Sequence, residues 1–148
     1  MRIAVDVGSV RVGVARSDAT GTLAVPVETL KRDAGDIAAL VDLVRDYEAL
    51  EVVVGYPLTL NNERGPAADA AVVYAKKLAV AVAPTPVVLV DERLTTAAAQ
   101  KGLHSAGRTT KTSRAVIDQA AAVQLLQDAL ETELRSGKRA GIAIEEVQ

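Results

Sequence analysis

Cysteine, phenylalanine and tryptophan are absent from this 148-residue chain, which has three tyrosines, one histidine and one methionine. Without cysteine there is no disulfide framework, no thiolate metal site and no thiol nucleophile, a pattern that fits a reducing cytoplasm. The lone histidine, His104, excludes a catalytic histidine pair within one chain and reads as a surface or helix-end residue. Tyrosine alone cannot build the stacking platforms on which many proteins hold single-stranded nucleic acid. A charge excess is missing too: 17 Lys and Arg against 19 Asp and Glu leave −2, so any contact with nucleic acid must be local. No apolar run of about 18 residues is free of charges and no leader pattern opens the chain, so a soluble protein without a membrane partner is expected.

What is present is apolar. Hydrophobic residues make up 49% of the sequence, enough for one substantial core, and a single domain over residues 1–148 is expected. Arg2 to Val7 reads as a buried strand, and Arg11 to Ser17 and Thr22 to Val25 follow it as a meander. Ile37, Leu40, Val41, Val44 and Tyr47 recur at helical spacing within Asp36 to Tyr47. A short strand at Glu51 to Gly55 leads to a polar turn, Asn61 to Gly65. Pro66 suits the first position of a helix reaching Val80 or Val82. Val87 to Val90 forms another apolar run, Thr95 or Thr96 can cap a helix ending near Gly107, and Ser105 to Ser113 reads as a mobile loop. A last helix is predicted from about Arg114 to Leu134, followed by a flexible tail over about 137–148. Strands first as a meander and then alternating with helices predict an α/β fold, a mixed five-stranded sheet flanked by helices.

Asp6 stands inside Ile3-Ala4-Val5-Asp6-Val7, where an ionised carboxylate costs several kcal/mol unless it is paired or bound to metal. The structural alternative is an Asp that caps the turn at Gly8. Asp118 shares a helix face with Ala122, Leu125 and Ala129, so it points at the sheet; alternatively it serves the helix dipole. Asp91 and Glu92 end a buried run, where open α/β sheets gather ligands. Neighbours on a strand face opposite ways, so spacing does not choose between them. Three acids from a first strand, a later strand and a final helix could converge on Mg²⁺ or Mn²⁺ for phosphodiester cleavage. No acid lies between Leu94 and Ile117, while Lys101, Arg108, Lys111 and Arg114 do, with Arg93 just upstream. That stretch is a candidate phosphate contact, or an ordinary solvated loop. Gly8 and Gly13 permit tight turns or close approach to a phosphate.

Asp6-Val7-Gly8, Gly13-Val14-Ala15, Val54-Gly55-Tyr56-Pro57-Leu58, Asp91-Glu92-Arg93-Leu94-Thr95-Thr96 and Asp118 with Ala121-Ala122 together resemble the YqgF/RuvX family. The resemblance implies a ribonuclease-H-like fold, divalent-metal nuclease chemistry with Mg²⁺ or Mn²⁺, and a role in maturing pre-16S rRNA or resolving Holliday junctions. It implies Asp6, Glu92 and Asp118 as catalytic and metal-binding acids, favouring Glu92 over Asp91. It makes Arg11, Arg93 and Thr96 candidates for positioning phosphates or supporting the acids. Family members often carry a basic residue where this chain has Val10 and Val116; Arg11 and Arg114 stand nearby. A monomer suffices for trimming RNA, whereas a junction resolvase implies a homodimer. Two other readings share these residues. An actin-like ATP-binding protein also uses a D-x-G turn but needs two such domains, and a non-catalytic RNA or transcription-complex binding module would not need all three acids.

Overall fold

The computed structural model describes residues 1–57, 64–91, 110–138 and 140–147, with the backbone alone at 110–118. Its elements are β1 (Arg2–Val7), β2 (Arg11–Ser17), β3 (Ala24–Lys31), α1 (Asp36–Asp46), β4 (Glu51–Tyr56), α2 (Pro66–Val82), β5 (Val87–Asp91), α3 (Thr110–Ser136) and β6 (Ile142–Ala143). They form a mixed sheet in the order β3-β2-β1-β4-β5-β6. β1 to β3 are an antiparallel meander, β1, β4 and β5 run parallel, and β6 returns antiparallel to β5. Every residue of β4 is buried, as a central parallel strand covered on both faces requires.

Alternation divides the strands between two cores. Ile3, Val5, Val12, Val14, Val52, Val54 and Leu89 pack against Leu40 and Val44 of α1 and Val72, Ala75 and Leu78 of α2. Ala4, Ala15, Val53 and Val88 pack against Ala122, Leu125, Leu126 and Leu130 of α3. The small side chains of Ala4 and Ala15 let α3 lie close to the sheet. Leu125 and Leu126, at most 1% exposed, contribute about 1.5–3 kcal/mol each by leaving water. Polar stitches reinforce this contact. Gln127 accepts a hydrogen bond from the Ala24 amide at 2.9 Å, and Arg2 grips Glu133 at 2.7 Å while lying 3.5 Å from Glu51. The Glu133 hydrogen bond is the main cause that raises the Arg2 pKa.

Three expectations need correction. The sheet has six strands rather than five, because Ile142–Ala143 pairs with Val88 and Leu89. That strand is held close: Gly141, at φ +88°, brings the chain so near β5 that a Cβ there would collide with the Leu89 carbonyl, and Ile144 beyond it is buried. The last helix begins at Thr110, so Lys111 lies on helical backbone rather than in a loop. Its Ser and Thr residues resemble turn formers but also suit a helix N-terminal turn. β3 is also longer than predicted, running past Val25 to Lys31. Pro26 sits at the register shift opposite Val14 and Ala15 on an edge strand, where its missing N–H is tolerated. The predicted helix from Thr95 to Gly107 lies outside the described residues, as does most of the turn at Asn61 to Gly65.

Candidate active site

Asp6 lies near the carboxyl end of β1, half-buried, in register with Gly13 of β2. It alternates with Ala4, so it occupies the sheet face that α3 covers. On the other side of β1 the last registered pair is Val5 with Val54, which makes Gly55 the next neighbour of Asp6. Both flanking positions on its face are therefore glycine. A side chain at either would stand with its Cβ about 4.5–5.5 Å from that of Asp6. Neither neighbouring strand therefore puts a side chain beside the carboxylate, and both glycines are themselves buried. Gly13 pairs in turn with Thr29 and Gly55 with Val90, so one row crosses the sheet as Val90, Gly55, Asp6, Gly13 and Thr29.

Helix α3 is fixed over this row. Gln119 Nε2 donates to Thr29 Oγ1 at 2.9 Å, which ties this turn of α3 to Thr29, itself two strand spacings, roughly 10 Å, from Asp6 along the row. Position 118 lies four residues before Ala122, which is fully buried against the sheet, and positions 111 and 114 precede it on the same stripe. Asp118, Arg114 and Lys111 thus enter the Asp6 face of the fold as backbone positions on one helix.

The β1–β2 turn is tight because Gly8 donates its N–H to the Arg11 carbonyl at 2.8 Å; a Cβ on Gly8 would stand 2.9 Å from that same oxygen. Arg32 braces the turn from behind. Its backbone N–H donates to the Val10 carbonyl and its Nη1 to the Gly8 carbonyl, each at 2.9 Å, while its Nε lies 3.6 Å from the buried Asp36 and its guanidinium stacks 4.8 Å from the Tyr74 ring centre. Burial, and then the nearby Asp36, push the Tyr74 phenol pKa upward. Arg11 follows the alternation of Gly13 and Ala15 and so shares the Asp6 face, directly opposite Lys31 of β3.

Spacing left Asp91 and Glu92 as alternatives. Asp91 is exposed and falls in step with Val87 and Leu89, which face α1 and α2, so it is off the Asp6 face. Val88 and Val90 are on that face. Glu92, Arg93, Thr96, Lys101, His104 and Arg108 lie outside the described residues. Among the described residues no group of three acidic or histidine side chains converges as a metal site. Sequence reasoning missed Thr29, Lys31 and Gln119. The signal for the first two is the short alternation Thr29, Leu30, Lys31, with Leu30 turned to the α1–α2 core, which lies beyond the strand end expected at Val25. A cavity of about 260 Å³ lined by Arg2, Ser17, Leu50 and Leu130 lies at the opposite, amino end of β1, away from Asp6.

No helix among the described residues is long and apolar enough to cross a membrane. A family described as "RuvX: Holliday junction resolvase" matches residues 1–132. A protein of Thermobifida fusca (strain YX) named "Putative pre-16S rRNA nuclease" is 50% identical, covering 98% of this chain and 96% of its own. One of the same name from Rhodococcus opacus (strain B4) is 52% identical over 91% of this chain and 79% of its own. Among solved structures, Thermus thermophilus RuvC in complex with a Holliday junction substrate superposes with a TM-score of 0.59 at 14% identity, covering 96% of this chain and all of that one. That likeness establishes the ribonuclease-H-like α/β fold. With the family match spanning both the Asp6 strand and the helix that covers it, and with relatives at half identity over nearly the whole length, this chain belongs to the RuvX family and is a nuclease.

Proposed function

We propose that the protein is a divalent-metal-dependent endonuclease that hydrolyses phosphodiester bonds in structured RNA, with pre-16S rRNA as its substrate, in the cytoplasm. The observation that carries this reading is the placement of Asp6 between Gly13 and Gly55 near the end of β1, on the sheet face that α3 covers. Asp6, Glu92 and Asp118 are the acids that would hold Mg²⁺ or Mn²⁺. The fit is good on the described side: a hard carboxylate oxygen near a strand end, half-buried, with no side chain from either neighbouring strand beside it, which suits cations that prefer oxygen ligands. When bound, the cation polarises the scissile phosphate and lowers the pKa of an attacking water.

The chain's own residues supply the rest. Arg11, one row along the same face, contacts a phosphate oxygen and offsets its charge, and Arg93, Lys101, Arg108, Lys111 and Arg114 extend the contact from the α3 side. Thr29 and Gln119 tie the turn of α3 that carries Asp118 to the sheet face of Asp6, which limits the reorganisation needed to bring the acids together. The whole of residues 1–148 acts as one domain, working as a monomer on RNA.

The family's description as a Holliday junction resolvase favours a second reading, cleavage of branched DNA. Two symmetric cuts then require a homodimer with two-fold related sites. One experiment separates these readings: wild type and Asp6→Asn are offered a pre-16S rRNA fragment, a four-way DNA junction and an RNA–DNA hybrid in Mg²⁺, Mn²⁺ or EDTA. Cleavage of the rRNA fragment that is lost in EDTA and in Asp6→Asn is expected. Equal cleavage by the variant removes Asp6 from the chemistry, and preference for the junction by a dimeric protein installs the second reading.

A further inference from the structure

We propose that Arg32 is a positioning residue for Asp6, tying the β1–β2 turn through the Gly8 carbonyl to α1 and α2 behind the sheet; this rests on the nuclease reading above. Arg32 meets the turn twice. Its backbone N–H donates to the Val10 carbonyl and its Nη1 to the Gly8 carbonyl, each at 2.9 Å. The Gly8 N–H is itself taken by the Arg11 carbonyl at 2.8 Å, a bond that closes the turn internally and leaves its tilt to outside contacts. Asp6 stands two residues before Gly8, so any tilt of the turn is passed to the end of β1.

The guanidinium is anchored on both helices of the α1–α2 layer. Its Nε lies 3.6 Å from Asp36 Oδ2, and its plane stacks 4.8 Å from the Tyr74 ring centre. These anchors are fixed in turn: Asp36 is 6% exposed in the first turn of α1, where its Oδ1 accepts the Ile37 amide at 2.7 Å, and Tyr74 is buried in the core that α2 shares with the sheet. A planar guanidinium presents its donors in a rigid fork, so it can hold a carbonyl and a carboxylate at once while lying on a ring. An ammonium at the same place is a single point charge. The placement separates positioning from direct chemistry, because Asp6 is on the face covered by α3 whereas Asp36 and Tyr74 belong to the helices of the other face. Asp36 offsets the Arg32 charge, so the turn is steadied without a free cation competing for the Asp6 carboxylate. Outer contacts of this kind orient a metal ligand and tune its affinity.

The test reads metal binding in the absence of substrate. Mn²⁺ is titrated into wild type, Arg32→Gln, Arg32→Lys, Val44→Ala and Asp6→Asn, with free Mn²⁺ followed by electron paramagnetic resonance. Val44 is a core residue of α1, eight positions beyond Asp36, and its truncation loosens the same layer as a control for lost stability. Both Arg32 variants should bind Mn²⁺ about tenfold more weakly, the lower end of what losing an outer partner of a metal ligand costs, while Val44→Ala should bind as wild type. Cleavage at saturating Mn²⁺ should then show a lower kcat with an unchanged KM for RNA, and RNA binding in EDTA should keep the wild-type salt dependence. Wild-type Mn²⁺ affinity in Arg32→Lys, or an equal loss in Val44→Ala, overturns the positioning role. So does a flattened salt dependence or a raised KM in Arg32→Gln, which would make Arg32 a phosphate contact instead. Equal Mn²⁺ binding, or none, in wild type and Asp6→Asn overturns the metal reading itself, a result distinct from any that turns on Arg32. Melting curves place all five proteins in the folded state at the temperature of titration.

Discussion

Gly8→Ala is the perturbation whose effect on the site can be worked out most directly. The residue does not need a left-handed backbone; it needs room. The oxygen that accepts its N–H at 2.8 Å is the oxygen a Cβ would meet at 2.9 Å, and because this is backbone rather than a flexible side chain the turn must open. Losing the hydrogen bond costs about 0.5–1.5 kcal/mol. Forcing the backbone apart adds roughly 1–3 kcal/mol, and the stiffer unfolded chain of an Ala variant offsets about 0.4–1 kcal/mol. A net loss of about 0.5–4 kcal/mol follows, which for a chain of this length lowers the melting temperature by on the order of 5 °C at the middle of that range. The protein stays folded at 25 °C, since native stabilities are about 5–15 kcal/mol. Activity should fall further than stability. Asp6 stands two residues upstream on the same strand, and a displacement of about 1 Å at a catalytic group can cost on the order of 100-fold in rate. Melting followed by circular dichroism, together with cleavage rates at 25 °C, checks both parts. A variant that melts with wild type refutes the close-approach argument. One that melts lower and still cleaves at the wild-type rate refutes the claim that this turn positions Asp6.

Two further predictions concern the covering helix and the far turn. Thr29→Val keeps the side-chain shape but removes the acceptor for Gln119, so a stability loss of about 0.5–1.5 kcal/mol is expected. A raised Mg²⁺ requirement should accompany it, with Thr29→Ser restoring both; a wild-type Mg²⁺ titration in Thr29→Val would separate this latch from the site. Asp18 accepts hydrogen bonds from the Thr22 and Leu23 amides, and the Thr22 amide is the main cause that holds its pKa below the usual aspartate value. A depressed folded pKa means that the stabilisation is complete above the ordinary aspartate pKa of about 4 and disappears as pH falls through the folded value. Urea midpoints of wild type and Asp18→Ala should therefore differ at neutral pH and converge in acid; a gap independent of pH would refute the role of the charge.

The parts of the fold that could be read from sequence were those with one strong period. β1, β4 and β5 are apolar runs because they are buried on both faces, and α1 and α2 show their stripes and boundaries plainly. β3 was cut short because an edge strand with Pro26 at a register shift breaks its alternation. β6 escaped notice because two residues carry no period; Gly141 was the only local sign that the chain must turn back onto β5. At the site, Asp6 stood out as a charge in an apolar run. The two glycines beside it are 42 positions apart in sequence and become neighbours only through strand order, so their joint role could not be read from spacing. The choice between Asp91 and Glu92 depended on which face β5 gives each residue. Packing of Val87 and Leu89 on one core and Val88 and Val90 on the other takes Asp91 off the Asp6 face.

Among the described residues, the face that bears Asp6 is covered by a helix that lies over a hundred positions later in the chain. A ribosome adds about 5–20 residues per second, so on the order of ten seconds pass between the synthesis of the first strand and that of its cover. During that interval the meander can pair, but Asp6 faces no helix and the proposed acids have not met. The order of the elements thus acts as a timer: a nuclease assembled in this sequence stays silent while still attached to the ribosome, surrounded by the kind of RNA it is proposed to cut.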